Sequence, residues 1–282
     1  MRHQPLIVLL ASLCVGAHAQ WLNYPAPGTP RTPDGKPNLA APAPHTADGK
    51  PDLSGVWMHQ ATTIAEVRRL FGDRFESEIK LAPPGMEIGT QHKYAFDILI
   101  DHKPEEAMLR PQAIEILRRT AAARNPADVC TGVFGFPLAG LLSEPIKIVQ
   151  APRLTMVLYE VQNLHRQIYT DGRDLPKEVN LPAYMGYSAG HWERDTLVVE
   201  SAGFNDKTTL DAMGHPHSEG LHITERFRRR DFGHLDVEMT FDDPQMYTQP
   251  FTVKIPHYLL ADADIFEDSC DNEKDRTHLG KQ

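Results

Sequence analysis

Between Asn205 and Arg226 the chain gathers Asp206, Asp211, His215, His217, Ser218, Glu219, His222 and Glu225 among Gly203, Gly214 and Gly220. A glycine-rich segment so dense in ionisable groups reads as a loop, and loops on a rigid scaffold are where binding and catalytic groups concentrate. His215, His217 and Glu219 stand at alternate positions, so an extended backbone would present all three on one face. Two imidazoles and a carboxylate form a donor set that zinc or a similar divalent metal accepts. The competing reading is a polar surface loop whose histidines bond turn backbone. A second group is His165, Tyr169, Asp171 and Arg173. Alternation puts His165, Gln167, Tyr169 and Asp171 on one strand face, and such a set lining a barrel interior could hold a polar ligand or transfer protons. Its plain alternative is an Asp171-Gly172 turn with Arg173 paired locally. Arg173 or Arg226 could orient an anionic group. Trp192 is a candidate substrate contact, although it and Trp57 read most simply as core aromatics.

Several familiar mechanisms lack their motifs. The chain has no G-x-S-x-G elbow, no phosphate-binding P-loop, no dinucleotide fingerprint and no H-E-x-x-H pair. The chemistry left open is proton transfer by His with Asp or Glu, as in a lyase, isomerase or hydrolase.

The elements that must position these groups come in the second half. Short β-rich runs cover 146–150, 154–160, 165–170, 185–192, 196–201, 221–230, 235–241 and 251–258, with turn residues between them and a short further run at 265–267. With a strand around Trp57 this predicts a mainly β fold: an antiparallel meander of about nine strands, closing as a lipocalin-like barrel or curled sheet. Two helices are expected in an insertion near 61–125. Ile64, Val67, Leu70, Phe71 and Phe75 recur at helical spacing over 62–77, and Pro111 opens a second helix to Arg124 that Asn125-Pro126 stops. Residues 54–282 make one β-rich domain.

Ahead of it, 20–53 is a proline-rich extended arm, in which Thr32-Pro33-Asp34-Gly35-Lys36-Pro37 recurs as Thr46-Ala47-Asp48-Gly49-Lys50-Pro51. Asp-Gly makes a turn and Lys-Pro forces an extended exit, so each copy should turn once and run on across the domain surface. The first 19 residues carry a basic start, an apolar run from Leu6 to Val15 and an Ala17-His18-Ala19 site, the parts of a cleavable secretory signal. Cleavage after Ala19 predicts a periplasmic or extracellular protein with no membrane span. It removes Arg2 from the 29 basic residues and nothing from the 38 acidic ones, so the charge falls one unit below −9. That balance argues against a nucleic-acid partner. Cys130 and Cys270 remain. In an oxidising compartment they read as one disulfide, stabilising on the order of 4 kcal/mol, against the alternative of two separate buried thiols.

Gly55-Val56-Trp57 at the head of the meander resembles the G-x-W opening of lipocalins, in which the tryptophan packs across the barrel floor. A longer resemblance runs over most of the chain. Asp48-Gly49-Lys50-Pro51-Asp52-Leu53-Ser54-Gly55-Val56-Trp57, Ile168-Tyr169-Thr170-Asp171-Gly172-Arg173, Gly203-Phe204-Asn205-Asp206 and His215-Pro216-His217-Ser218-Glu219 are similar to motifs of a group of uncharacterised exported bacterial proteins. That likeness implies export and no particular activity. The leading expectation is an exported acid–base enzyme on a small, partly apolar molecule, with His165, Tyr169, Asp171, Asp206, His215, His217 and Glu219 as its candidate groups. The alternatives are a non-catalytic small-ligand carrier of lipocalin type and an envelope interaction module that docks a partner through the arm.

Overall fold

Each period-two run of the second half forms a strand, because its apolar residues can be buried on one face only if the backbone is extended. The computed structural model describes residues 25–72, 91–102, 104, 107–123, 134–142 and 144–268. The expected leader, Cys130 and Cys270 fall outside them. The strands are β1 (Gly55–His59), β2 (Ile146–Ala151), β3 (Leu154–Tyr159), β4 (His165–Tyr169), β5 (Tyr187–Glu193), β6 (Thr196–Ala202), β7 (His222–Arg229), β8 (His234–Asp242) and β9 (Phe251–Leu259). They close in sequential order into a barrel, β9 pairing with β1 through Trp57↔Leu259, Met58↔Tyr258 and His59↔His257.

The expected all-antiparallel meander needs one correction. Strand direction cannot alternate all the way around a ring of nine, so at least one neighbouring pair must be parallel. That pair is β4–β5, joined at Ile168↔Ser188 and Tyr169↔Ala189. Parallel neighbours need a long return path, and the connection 170–186 supplies it. The short run at 265–267 is not a strand; there Phe266 donates its backbone N–H to Glu160 at 2.9 Å.

The insertion after β1 carries α1 (Ile64–Phe71), α2 (Lys93–Phe96) and α3 (Pro111–Ala123). Thr63 caps α1 by accepting from Glu66 N, and α3 opens on Pro111, where a missing N–H costs nothing. The one-turn α2 has no signature in the sequence. Strand directions place the insertion, the 203–221 loop and the 243–250 loop at one end, the mouth.

The opposite end is the floor, and it is sealed. Trp57 is fully buried there, its Nε1 donating to Leu53 O at 2.9 Å, with the Arg229 guanidinium 4.9 Å from its ring. Burial lowers Arg229 to about 10. Gly55 has φ +147°, and a Cβ there would meet Leu259 Cδ1 at 2.5 Å, so glycine is the residue that lets β1 enter against β9. The arm crosses this end. Its two repeats fold alike, Thr32 N bonding Lys36 O at 2.9 Å and Thr46 N bonding Lys50 O at 2.8 Å. Phe232 N donates to Ala41 O at 2.7 Å, Gly233 N donates to Leu39 O at 2.8 Å, and Arg31 pairs with Asp262 at 2.6 Å.

A Cβ on Gly233 would lie 2.4 Å from Leu39 Cβ and 2.9 Å from its Cα, so the arm cannot stay seated over any other residue. Gly233→Ala should destabilise the protein by about 1–3 kcal/mol in urea unfolding and make the arm cleavable by protease while the barrel resists.

Candidate functional site

Alternation on β4 divides its side chains between two environments, and the inward set is the one not singled out by residue type. His165 and Gln167 are exposed and Tyr169 is half-buried, while Arg166 and Ile168 are buried. The expected interior face of His165, Tyr169 and Asp171 is therefore the outer face. Tyr169 donates to Gln167 at 3.0 Å, Asp171 is gripped by Arg173 at 2.7 Å, and the Arg173 guanidinium lies 3.9 Å from the Tyr169 ring. This is the local turn pairing, with Arg173 holding the Asp171 carboxyl below the ordinary carboxylate range. Arg226 is also outside, paired with Glu193 at 2.8 Å, and Trp192 is a partly buried side chain packed on the core.

Inside the barrel, Arg166 on β4 reaches past β5 and β6 to Glu225 on β7. Nη2 donates to Oε2 at 2.5 Å, and the side chains are 2% and 3% exposed. The Phe136 ring lies 4.0 Å over the guanidinium, and Tyr159 on β3 is buried and near enough to feel both charges. Burial works against the Arg166 charge, but Glu225 and then Tyr159 outweigh it and leave the guanidinium above its ordinary value. Burial pushes the Glu225 carboxyl up against the pull of Arg166, and pushes Tyr159 up to about 12. Two guanidinium donors, Nε and Nη1, have no acceptor among the described residues. Ser188 and Ser201, facing each other on β5 and β6 at 2.8 Å, are further buried polar groups of the barrel wall.

At the mouth the 203–221 loop is organised around Asp211. Its carboxylate accepts from Ile98 N at 2.6 Å, Gly214 N at 2.9 Å, His215 N at 3.1 Å and His215 Nδ1 at 2.5 Å. Asp97, Asp211 and His215, all fully buried, each offer a ligand atom within 4.8 Å of the others. The residue types suit zinc, yet four N–H donors already occupy the lone pairs of Asp211 and His215 spends Nδ1 on it. The arrangement works as a hydrogen-bonded loop anchor. The expected metal set of His215, His217 and Glu219 does not converge on one point. His217 Nδ1 donates to Ser218 O at 3.3 Å, leaving Nε2 to accept from Thr208 Oγ1 at 2.8 Å, and Glu219 and Asp206 are exposed. Burial holds His217 below the usual histidine value, so it is a neutral acceptor in contact with a hydroxyl. Rings connect this loop to the interior: Phe204 meets His217 edge-on at 6.3 Å and stacks on Phe136 at 6.2 Å.

A third polar group went unmarked in the sequence reading. His59 and His257 face each other across the β1–β9 seam with ring centroids 6.5 Å apart, and His92 lies 6.3 Å from His59. His92 N donates to His59 Nε2 at 3.2 Å, and His257 Nδ1 donates to Ile255 O at 3.0 Å. Their phase with buried Trp57 and Ile255 was the available signal.

No family model matches the chain, and neither the curated proteins nor the solved structures contain a match. The chemistry of the site therefore rests on its geometry.

Two predictions follow from the buried polar groups. Asp211→Ala would remove the acceptor of three backbone N–H groups and of His215 Nδ1, costing about 3–5 kcal/mol in urea unfolding. Burial, then the neighbouring His59, lowers His92 and His257 to about 3; Lys93 adds to this for His92 and Asp101 opposes it, while for His257 the Ile255 carbonyl opposes it. Both are neutral when folded and take up protons near pH 6.5 when unfolded. Their contribution is complete above that pH and is lost as pH falls toward 3. Unfolding at pH 7 and pH 5 should differ by on the order of 4 kcal/mol from these two groups, and His257→Gln should flatten the slope.

Proposed function

We propose that this protein is an exported small-ligand binding protein whose barrel interior takes up a small, partly apolar molecule while the buried polar groups fix its orientation. The observation that carries this reading is the Arg166–Glu225 pair, enclosed by a mostly apolar barrel whose floor is sealed by Trp57 and the arm. Desolvating two ions costs several kcal/mol each, and an apolar pair of equal volume usually stabilises a core as well or better. Stability alone does not account for such a pair, whereas ligand orientation does. The carrier reading also explains why the groups expected to be catalytic do not meet: His165, Tyr169 and Asp171 face outward, and His215 anchors a loop.

The acid–base enzyme keeps one specific point in its favour. Glu225 has a carboxyl raised by burial, beside a cation that could polarise a substrate oxygen and beside the Tyr159 hydroxyl. In that version Glu225, Arg166 and Tyr159 replace the residues chosen from the sequence.

Native mass spectrometry of the protein purified from the compartment to which it is exported tests both. The expected spectrum carries a bound small molecule that R166Q/E225Q no longer retains. Unchanged molecule after prolonged incubation marks a carrier, and conversion to product marks the enzyme. A bare polypeptide mass, together with no binding from a panel of small apolar compounds, would count against the proposal.

A further inference from the structure

Arg166 spends Nη2 on Glu225, and among the described residues Nε and Nη1 have no acceptor, within a side chain that is 2% exposed. An unpaired buried N–H costs about 1–3 kcal/mol, so two such nitrogens on one side chain mark a place built for acceptors that the described residues do not supply. The charge balance restricts what those acceptors can be. Arg166 and Glu225 already cancel, and among the described residues no second cation pairs with them. A carboxylate or phosphate beside them would leave a net negative charge in an apolar interior, which is expensive. An uncharged oxygen adds no charge and still satisfies the donors.

Resting on the small-ligand reading, we infer that the interior binds a neutral apolar molecule through a carbonyl oxygen (ketone, ester or lactone) that accepts from Arg166. A carbonyl is the best neutral acceptor for an N–H and brings no donor of its own needing a partner in the barrel wall. Its apolar body would lie where the Phe136 ring now covers the guanidinium face. Phe136 belongs to the segment 134–142 at the mouth and stacks on Phe204 of the 203–221 loop, so displacing it opens a route from the mouth to Arg166. Glu225 stays on the far donor and keeps the guanidinium oriented, which makes it a positioning residue for binding.

Three probes of one chain length separate the alternatives: octan-2-one, octane and octanoate. Each is titrated into full-length mature protein carrying 15N-labelled arginine, with affinity read by calorimetry and contact read from the Arg166 Nε–H resonance. Octan-2-one should bind about tenfold tighter than either of the others and should alone move that resonance. In R166Q/E225Q the ketone preference should disappear while binding of octane is retained, and Phe136→Ala should tighten ketone binding. If the double variant does not fold, R166K replaces it, since a lysine ammonium keeps the ion pair but cannot place donors where the guanidinium holds Nε and Nη1. Tighter binding of octanoate, equal binding of all three, or a ketone preference that survives in the variants would overturn the carbonyl assignment and leave the binding barrel intact. Failure of all three probes to bind would remove the small-ligand reading itself.

Discussion

Ring closure is the constraint on which the other features depend. β1 is five residues long and must pair with β2 on one side and with β9 on the other, so the first strand of the chain holds its last. Joining segments about two hundred residues apart is entropically slow and must be secured by what gathers at the seam. Trp57 is the side chain that secures it. It fills the floor, bonds the arm through Leu53 O and carries Arg229 over its ring. Beside it, Gly55 gives Leu259 the room it needs. Closure with an odd number of strands then forces the parallel β4–β5 pair, and with it the long 170–186 return.

Closing the barrel also creates an interior in which every polar group is costly. Most inward positions accordingly hold Leu, Ile, Val or Phe, and Arg166, Glu225, Tyr159, His59 and His257 are among the exceptions, with Thr155, Ser188, Ser201 and Arg229. The histidines satisfy themselves locally by remaining neutral and bonding backbone. The ion pair does not do so completely, since among the described residues two donor nitrogens of Arg166 have no acceptor. That contrast separates polar groups that the fold has absorbed from the one on which the proposed ligand rests. The mouth loop belongs with the absorbed groups. Asp211 is a connector that ties Ile98 in the insertion to Gly214 and His215 in the loop, and Ser218 is tied in turn to Asp243 at 2.8 Å. These bonds hold the cover over the barrel, while the Phe136–Phe204 stack supplies its apolar contact with Arg166.

Read from the sequence alone, the strand count, the strand boundaries to within a residue or two, the presence of the two longer helices and the turn-and-run repeats of the arm were all legible, although the first helix stops at Phe71 on its Gly72 cap and not at 77. Each rests on local physics: period-two burial, helical spacing, Asp-Gly turns, and proline at the start of a helix. The burial of Trp57 was legible for the same reason, because an inward tryptophan at the start of a closing strand has few other places to go. What misled was residue chemistry. His165, Tyr169 and Asp171 attract notice because their side chains react, but alternation gives two faces and does not say which one looks inward. Ile168 and Arg166 take the interior because Ile168 must be buried, and Arg166 shares its phase.

The amino-acid order by itself therefore determined which segments are strands and that they pair with sequence neighbours, since those outcomes follow from hydrogen bonding and burial within a few residues. The tertiary structure decided which end of the barrel is closed, which strand pair runs parallel, and which charged residues meet. Arg166 and Glu225 are fifty-nine residues apart, and nothing in either local sequence marks them as partners. Their meeting depends on β5 and β6 completing the wall between them, a consequence of ring geometry and not of any motif.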